Sequence, residues 1–124
     1  MKLNTNCFIN DSGTIVNNGT VTINGGTIRT KLPNGIFTNN GNINVNANSR
    51  LINEKTFNSL ASGNIINKNS IINSGTFSSY GQITNAVVAS DSGVITNTGI
   101  FNNIINSLDS GVLTNNGIIN NQAT

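Results

Sequence analysis

Glycine recurs in this chain on a six-residue ruler. Gly63, Gly75, Gly81, Gly93, Gly99, Gly111 and Gly117 share one phase, Gly13, Gly19 and Gly25 a second, and Gly35 and Gly41 a third. Two insertions account for the slips: 25 to 35 is six plus four, and 41 to 63 is eighteen plus four. An apolar residue stands two positions after glycine in twelve of thirteen cases; only Thr27, after Gly25, breaks the rule, and the adjacent Gly26 covers it. Four positions after glycine stand Asn17, Asn39, Asn67, Asn85, Asn97, Asn103, Asn115 and Asn121. The repeating unit is G-x-Φ-x-N-[N/S/T], with Φ apolar.

Each column has a physical reason. Alternation across G-x-Φ-x-N is the period of a strand with one face inward. β-Branched isoleucine, 18 of the 124 residues, suits that pleated surface. Asn tolerates left-handed backbone and Gly carries no Cβ, so the residues around each glycine supply a corner. A six-residue period broken by Asn-Gly cannot sustain a 3.6-residue stripe, which excludes helix.

The hexads group in threes. DSGVITNTGIFNN at 91–103 returns as DSGVLTNNGIINN at 109–121, a lag of 18 with ten of thirteen positions identical. Eighteen residues make one three-sided coil, and coils stack by parallel pairing at about 4.8 Å per rung. The fold predicted is all-β: one parallel β-solenoid (β-helix) domain over 1–124, with about 18-residue coils built from three hexads. Seven coils, roughly 30 Å tall, would use the whole chain. Right-handed crossovers are the general rule for parallel strands, so a right-handed winding is expected. An antiparallel sandwich or barrel is the alternative fold. The segments 29–33 and 49–56 break the hexad phase and carry Arg29, Lys31, Arg50, Glu54 and Lys55, so they are expected to project as insertions. Stacked copies of one side chain should form ladders: Ile83, Ile95, Phe101, Leu113 and Ile119 inward, with Asn85, Asn97, Asn103, Asn115 and Asn121 at the corners. Ile95 should lie over Leu113 and Asn97 over Asn115.

Strings such as Gly13 to Val21 and Gly111 to Ile119 resemble the β-helical repeats of filamentous-haemagglutinin-like adhesins and viral fibre proteins. That resemblance implies a right-handed parallel β-helix used as a surface stalk, adhesin or fibre shaft.

The chemistry available is sparse. Charged residues make up 8 % of the chain, there is no His or Trp, and the net charge is +2. The six basic residues do not cluster and no aromatic residues interleave with them, which argues against nucleic acid. No apolar run approaches transmembrane length, and MKLNTNCFIN lacks the apolar core of a signal peptide. Cys7 is alone, so no disulfide framework and no His-activated thiol is expected. Asp91 and Asp109 occupy the same coil position. Two carboxylates stacked there could serve a retaining glycosidase or bind Ca²⁺, whereas D-S-G more simply caps a turn. Thr20 and Thr22 form a Thr-x-Thr pair that does not recur, against an ice-binding face.

The expectation is therefore a non-enzymatic protein with no cofactor. Two functional classes are open: a self-assembling structural module that stacks end to end into a filament or fibre shaft, and an adhesin-type module presenting a glycan- or host-surface-binding face. Either fits a virion or extracellular location without membrane insertion. Residues 1–68 carry six basic and two acidic residues, net +4, and 69–124 carry two acidic residues, net −2, so a head-to-tail contact would join opposite charges.

Overall fold

A computed structural model describes residues 1–4, 6–85, 93–103 and 112–121, without the side chains of Leu3, Asn103 and Asn121. The described residues contain fifteen strands and no helix. They run β1 (Lys2–Asn4), β2 (Cys7–Asn17), β3 (Thr20–Asn24), β4 (Thr27–Asn39), β5 (Asn42–Val45), β6 (Arg50–Asn53), β7 (Thr56–Ser59) and β8 (Asn64–Asn67). There follow β9 (Ser70–Asn73), β10 (Thr76–Ser79), β11 (Gln82–Asn85), β12 (Val94–Asn97), β13 (Ile100–Asn103), β14 (Val112–Asn115) and β15 (Ile118–Asn121). Every pairing between them is parallel.

The strands wind into a β-solenoid with three faces. The first face stacks the opening halves of β2 and β4, then β6, β9, β12 and β14; the second stacks their closing halves, then β7, β10, β13 and β15. The third is a separate sheet in the order β1-β3-β5-β8-β11. The long strands β2 and β4 run through the corner between the first two faces, which joins those faces into one sheet.

Each face contributes an apolar inward row and, two residues on, a second inward row of mostly polar residues that also holds Ile23 and Val45. On the first the apolar row runs Phe8, Ile28, Leu51, Ile71, Ile95, Leu113, and on the second Ile15, Phe37, Phe57, Phe77, Phe101, Ile119. The third carries Val21, Ile43, Ile65 and Ile83. In-register pairing forces like onto like, so the four phenyl rings stack with centroids 5.1, 4.5 and 4.8 Å apart and planes within 10°. The predicted pairs Ile95–Leu113 and Asn97–Asn115 are partners in the register.

The winding comprises about five turns rather than seven. Only some coils repeat at 18. Phe37 pairs with Phe57, a lag of 20, Thr20 with Asn42, a lag of 22, and Phe77 with Phe101, a lag of 24. Such coils use more than eighteen residues each, so the same chain makes fewer of them.

The segment 49–56, expected to project, is corrected. Arg50–Asn53 is a strand, and Leu51 and Asn53 are fully buried. The hexad continues there without its glycine: Leu51-x-Asn53 keeps the Φ-x-N spacing, and buried Ser49 occupies the corner. The residues added to this coil lie instead at two corners. One turn is closed by Ser49 N–H donating to the Asn46 carbonyl, and the other by Gly63 N–H donating to the Leu60 carbonyl. The segment 29–33 is also part of a strand, β4, but it holds a bulge. Asn10 pairs with Thr30 and Ser12 with Asn34, which leaves Lys31, Leu32 and Pro33 opposite Asp11. Lys31, Leu32 and Pro33 are exposed, as a bulge on the outer wall requires.

Most corner glycines serve the stacking distance rather than a left-handed backbone. Only Gly13, Gly25 and Asn48 have positive φ among the described residues. A Cβ on Gly81 would lie 1.8 Å from the Gly63 carbonyl oxygen of the coil beneath, whereas one on Gly19 meets nothing within 4 Å. Gly81→Ala is therefore expected to cost about 1–3 kcal/mol through forced displacement of backbone. Gly19→Ala should stay within about 0.5 kcal/mol. Denaturant unfolding of the two variants checks the contrast.

Candidate functional surface

The interior carries amide ladders at its corners. Asn53 Nδ2 donates to Asn73 Oδ1 at 2.7 Å, Asn73 to Asn97 at 2.7 Å, and Asn97 to Asn115 at 2.8 Å. Thr30 Oγ1 continues the row by donating to Asn53 Oδ1. A second corner has Asn17 Nδ2 donating to Asn39 Oδ1 at 2.8 Å and Asn39 Nδ2 to Ser59 Oγ at 3.2 Å. A third has Asn67 Nδ2 on Asn85 Oδ1 at 2.7 Å. The same amides reach the backbone of the coil above, as with Asn53 Nδ2 on the Thr76 carbonyl at 2.8 Å and Asn73 Nδ2 on the Ile100 carbonyl at 3.0 Å. Each of these buried amide nitrogens thus has at least one acceptor, which burial requires. It also clamps two coils together.

Asn10, Asn53 and Asn73 belong to this system although no glycine precedes them by four. The signal that finds them is the Φ-x-N spacing in Phe8-x-Asn10, Leu51-x-Asn53 and Ile71-x-Asn73. Of the residues expected in the ladders, Ile83, Ile95, Phe101, Asn85 and Asn97 are buried. Leu113 points inward by register yet is 44 % exposed, and Ile119 is partly buried. Both lie on the last described rung, above which no described strand stacks. Asn115 is exposed for the same reason. Asn103 and Asn121 hold their register positions on β13 and β15. Asp91 and Asp109 lie outside the described residues.

The outer wall mixes polar residues with exposed apolar ones such as Ile9, Val16 and Ile100, and it carries the charged side chains. Arg29 on β4 donates to Glu54 just past β6, and that carboxylate raises the guanidinium pKa above its ordinary value. The pair is partly exposed and links two coils, a contact of the kind that contributes little to stability. Thr20 and Thr22 are followed in register by Asn42 and Asn44, so the outer Thr pair does not extend as a ladder. Among the described residues no three His, Cys, Asp or Glu side chains converge as a metal site. No helix of the described residues is long and apolar enough to cross a membrane.

The unusual surfaces are the two ends. At one, β2 is paired on one side only, with Phe8 and Ile15 partly buried and Ile9 and Val16 exposed on the outside of the same rung. At the other, β14 and β15 are each paired on one side only, with Leu113 and Ile119 topping the inward rows and Val112 and Ile118 exposed beside them. Among the described residues, these rungs offer a row of backbone donors and acceptors next to incompletely buried apolar side chains, which is a template for another strand. Comparison with family models, curated proteins and solved structures found no match to this chain.

Proposed function

We propose that the protein is a non-enzymatic structural module that self-assembles end to end, by solenoid stacking, into a filament or fibre shaft. The observation that carries this reading is the stacking of like on like along the described rungs, where four phenyl rings and a row of amides repeat in register from coil to coil. Among the described residues, the outermost inward residues of the first two faces, Phe8 and Ile15 on one side and Leu113 and Ile119 on the other, are incompletely buried. A second copy can continue these rows, because every described coil is built to sit on its own likeness. Stacking of unlike surfaces is heterologous, the kind of contact that grows without closing. The net charges of residues 1–68 and 69–124, +4 and −2, favour head-to-tail over head-to-head approach. Repeats of the filamentous-haemagglutinin-like and viral fibre style serve as shafts, and a virion or extracellular appendage is the location that fits such a role.

Negative-stain microscopy of purified protein is expected to show thin unbranched rods. Ile119→Pro removes a backbone donor from an edge strand and should shorten or abolish them. A protein that remains monomeric at high concentration overturns the reading and favours a binding module that presents an outer face to a glycan or host surface.

A further inference from the structure

The corners of this solenoid carry a chemically reactive sequence. Five asparagines, Asn18, Asn24, Asn34, Asn40 and Asn116, directly precede glycine. Glycine has no Cβ to hinder the approach of its own backbone nitrogen, so Asn-Gly is the junction at which an asparagine side chain most readily loses ammonia. In that reaction the glycine N–H gives up its proton to base, and the nitrogen attacks Cγ of the preceding asparagine. The N–Cγ bond forms as the Cγ–Nδ2 bond breaks, and Nδ2 takes up a proton and leaves as ammonia. Solvent water then opens the cyclic imide to aspartate or isoaspartate, with nothing oxidised or reduced. The step needs a glycine N–H that is free and an asparagine side chain that can swing toward it.

The fold withholds both. In each of the three N-N-G triplets the first asparagine holds the glycine. Asn17 Oδ1 accepts from Gly19 N–H at 3.2 Å, Asn39 Oδ1 from Gly41 N–H at 3.3 Å, and Asn115 Oδ1 from Gly117 N–H at 3.3 Å. Beside Asn24 the same part is taken by buried Ser49, whose Oγ accepts from Gly25 N–H at 2.8 Å. The side chains that would react are held as well: Asn40 Nδ2 donates to Asn18 Oδ1 at 2.9 Å, and Asn46 Nδ2 to Asn24 Oδ1 at 2.6 Å. We infer that Asn18, Asn24 and Asn40 are latent deamidation sites, guarded by the buried oxygens of Asn17, Ser49 and Asn39. One ladder amide thus serves twice. Its Nδ2 clamps the neighbouring coil, and its Oδ1 engages the adjacent glycine N–H, which favours the protonated, unreactive form of that amide. Release of the hold would turn the bonded pair Asn18 and Asn40 into two carboxylates side by side, replacing attraction with repulsion. A coil that opens is marked by a lasting covalent change.

Peptide mapping by mass spectrometry, after incubation of the full chain in mildly alkaline buffer, reads aspartate plus isoaspartate at each site separately. Folded wild type is expected to deamidate at Asn18, Asn24 and Asn40 at least about tenfold more slowly than the same chain in urea, the rate equivalent of one hydrogen bond. Ser49→Ala frees Gly25 N–H and should raise the rate at Asn24 alone by about tenfold. The Ile23 carbonyl, which also accepts from Ser49 Oγ, keeps the Asn46 N–H in that variant. Asn17→Ala frees Gly19 N–H and should accelerate Asn18 in the same way, with Asn24 and Asn40 unchanged. Asn17→Asp separates this effect from lost stability. Both replacements at 17 remove the donor that serves Asn39 Oδ1 and the Asn42 carbonyl, but the carboxylate still accepts from Gly19 N–H, so Asn18 should stay slow. Three results overturn the inference: equal acceleration of Asn18 by Ala and by Asp, a rise at all three sites together in both Ser49→Ala and Asn17→Ala, or a folded wild type that deamidates as fast as the unfolded chain.

Discussion

Ile71→Asp is expected to unfold the middle of the solenoid, while Lys at the adjacent Ile72 is expected to be tolerated. The two residues are chemically identical neighbours on β9, and only the two-residue period of a strand separates them. Ile71 has no exposed surface and lies between Leu51 and Ile95, whereas Ile72 is half-buried on the outer wall between Ile52 and Thr96. An aspartate at 71 would place a carboxylate in an apolar row with no cation within the core, costing several kcal/mol. A lysine at 72 lays its methylenes along the wall and keeps its ammonium in water, for a change of about 0.5–1 kcal/mol. Circular dichroism with urea as denaturant measures both midpoints. Equal losses at the two positions would reject the inward and outward phases.

The second large effect concerns the amide ladder. Asn73→Asp keeps the shape of the side chain and removes its donors. The new carboxylate would face Asn97 Oδ1 and the Gly75 and Ile100 carbonyls, all of which now accept from Asn73 Nδ2. Orphaned acceptors cost about 1–3 kcal/mol each, and a buried charge adds to that, so a loss of at least about 3 kcal/mol is expected at neutral pH. The pH dependence has a definite sign. Burial among acceptors favours the protonated acid, which raises the folded-state pKa above the unfolded value of about 3.9. The variant should therefore be closest to wild type below that pH and lose stability as pH rises through the folded pKa. Asn102→Ala is the control, since Asn102 bonds Ser78 and Asn120 on the half-exposed outer wall, where water replaces the lost partners. A wild-type midpoint for Asn73→Asp at pH 7 would mean that the buried ladder does not hold the coils together.

The hexad exposes most of this architecture because a solenoid is locally periodic, so each strand, corner and inward residue is written in six adjacent letters. The pairing of Ile95 with Leu113 and of Asn97 with Asn115 is legible for that reason. Glycine is a less faithful marker than the Φ-x-N pair. It is required where backbone of successive coils comes close, as at Gly81 over Gly63, and not where Ser49 turns the chain before Leu51 or Lys55 before Phe57. Reading coils from glycine alone thus misplaces 49–56 and misses Phe57, the second ring of the phenyl stack. The number of coils is illegible for a related reason. Residues can be added between ladder positions without disturbing the ladder, so coil length drifts from 18 to 24 while the register of the faces is kept.

Axial rise, measured by helical reconstruction of assembled filaments from cryo-electron micrographs, tests the central claim most directly. Coils that continue in register from copy to copy place one rung every ~4.8 Å along the filament. A protomer rise that is a whole number of such rungs, with strands running across the filament axis throughout, is the predicted result. Particles that never assemble, or filaments whose strands run along the axis, would contradict it.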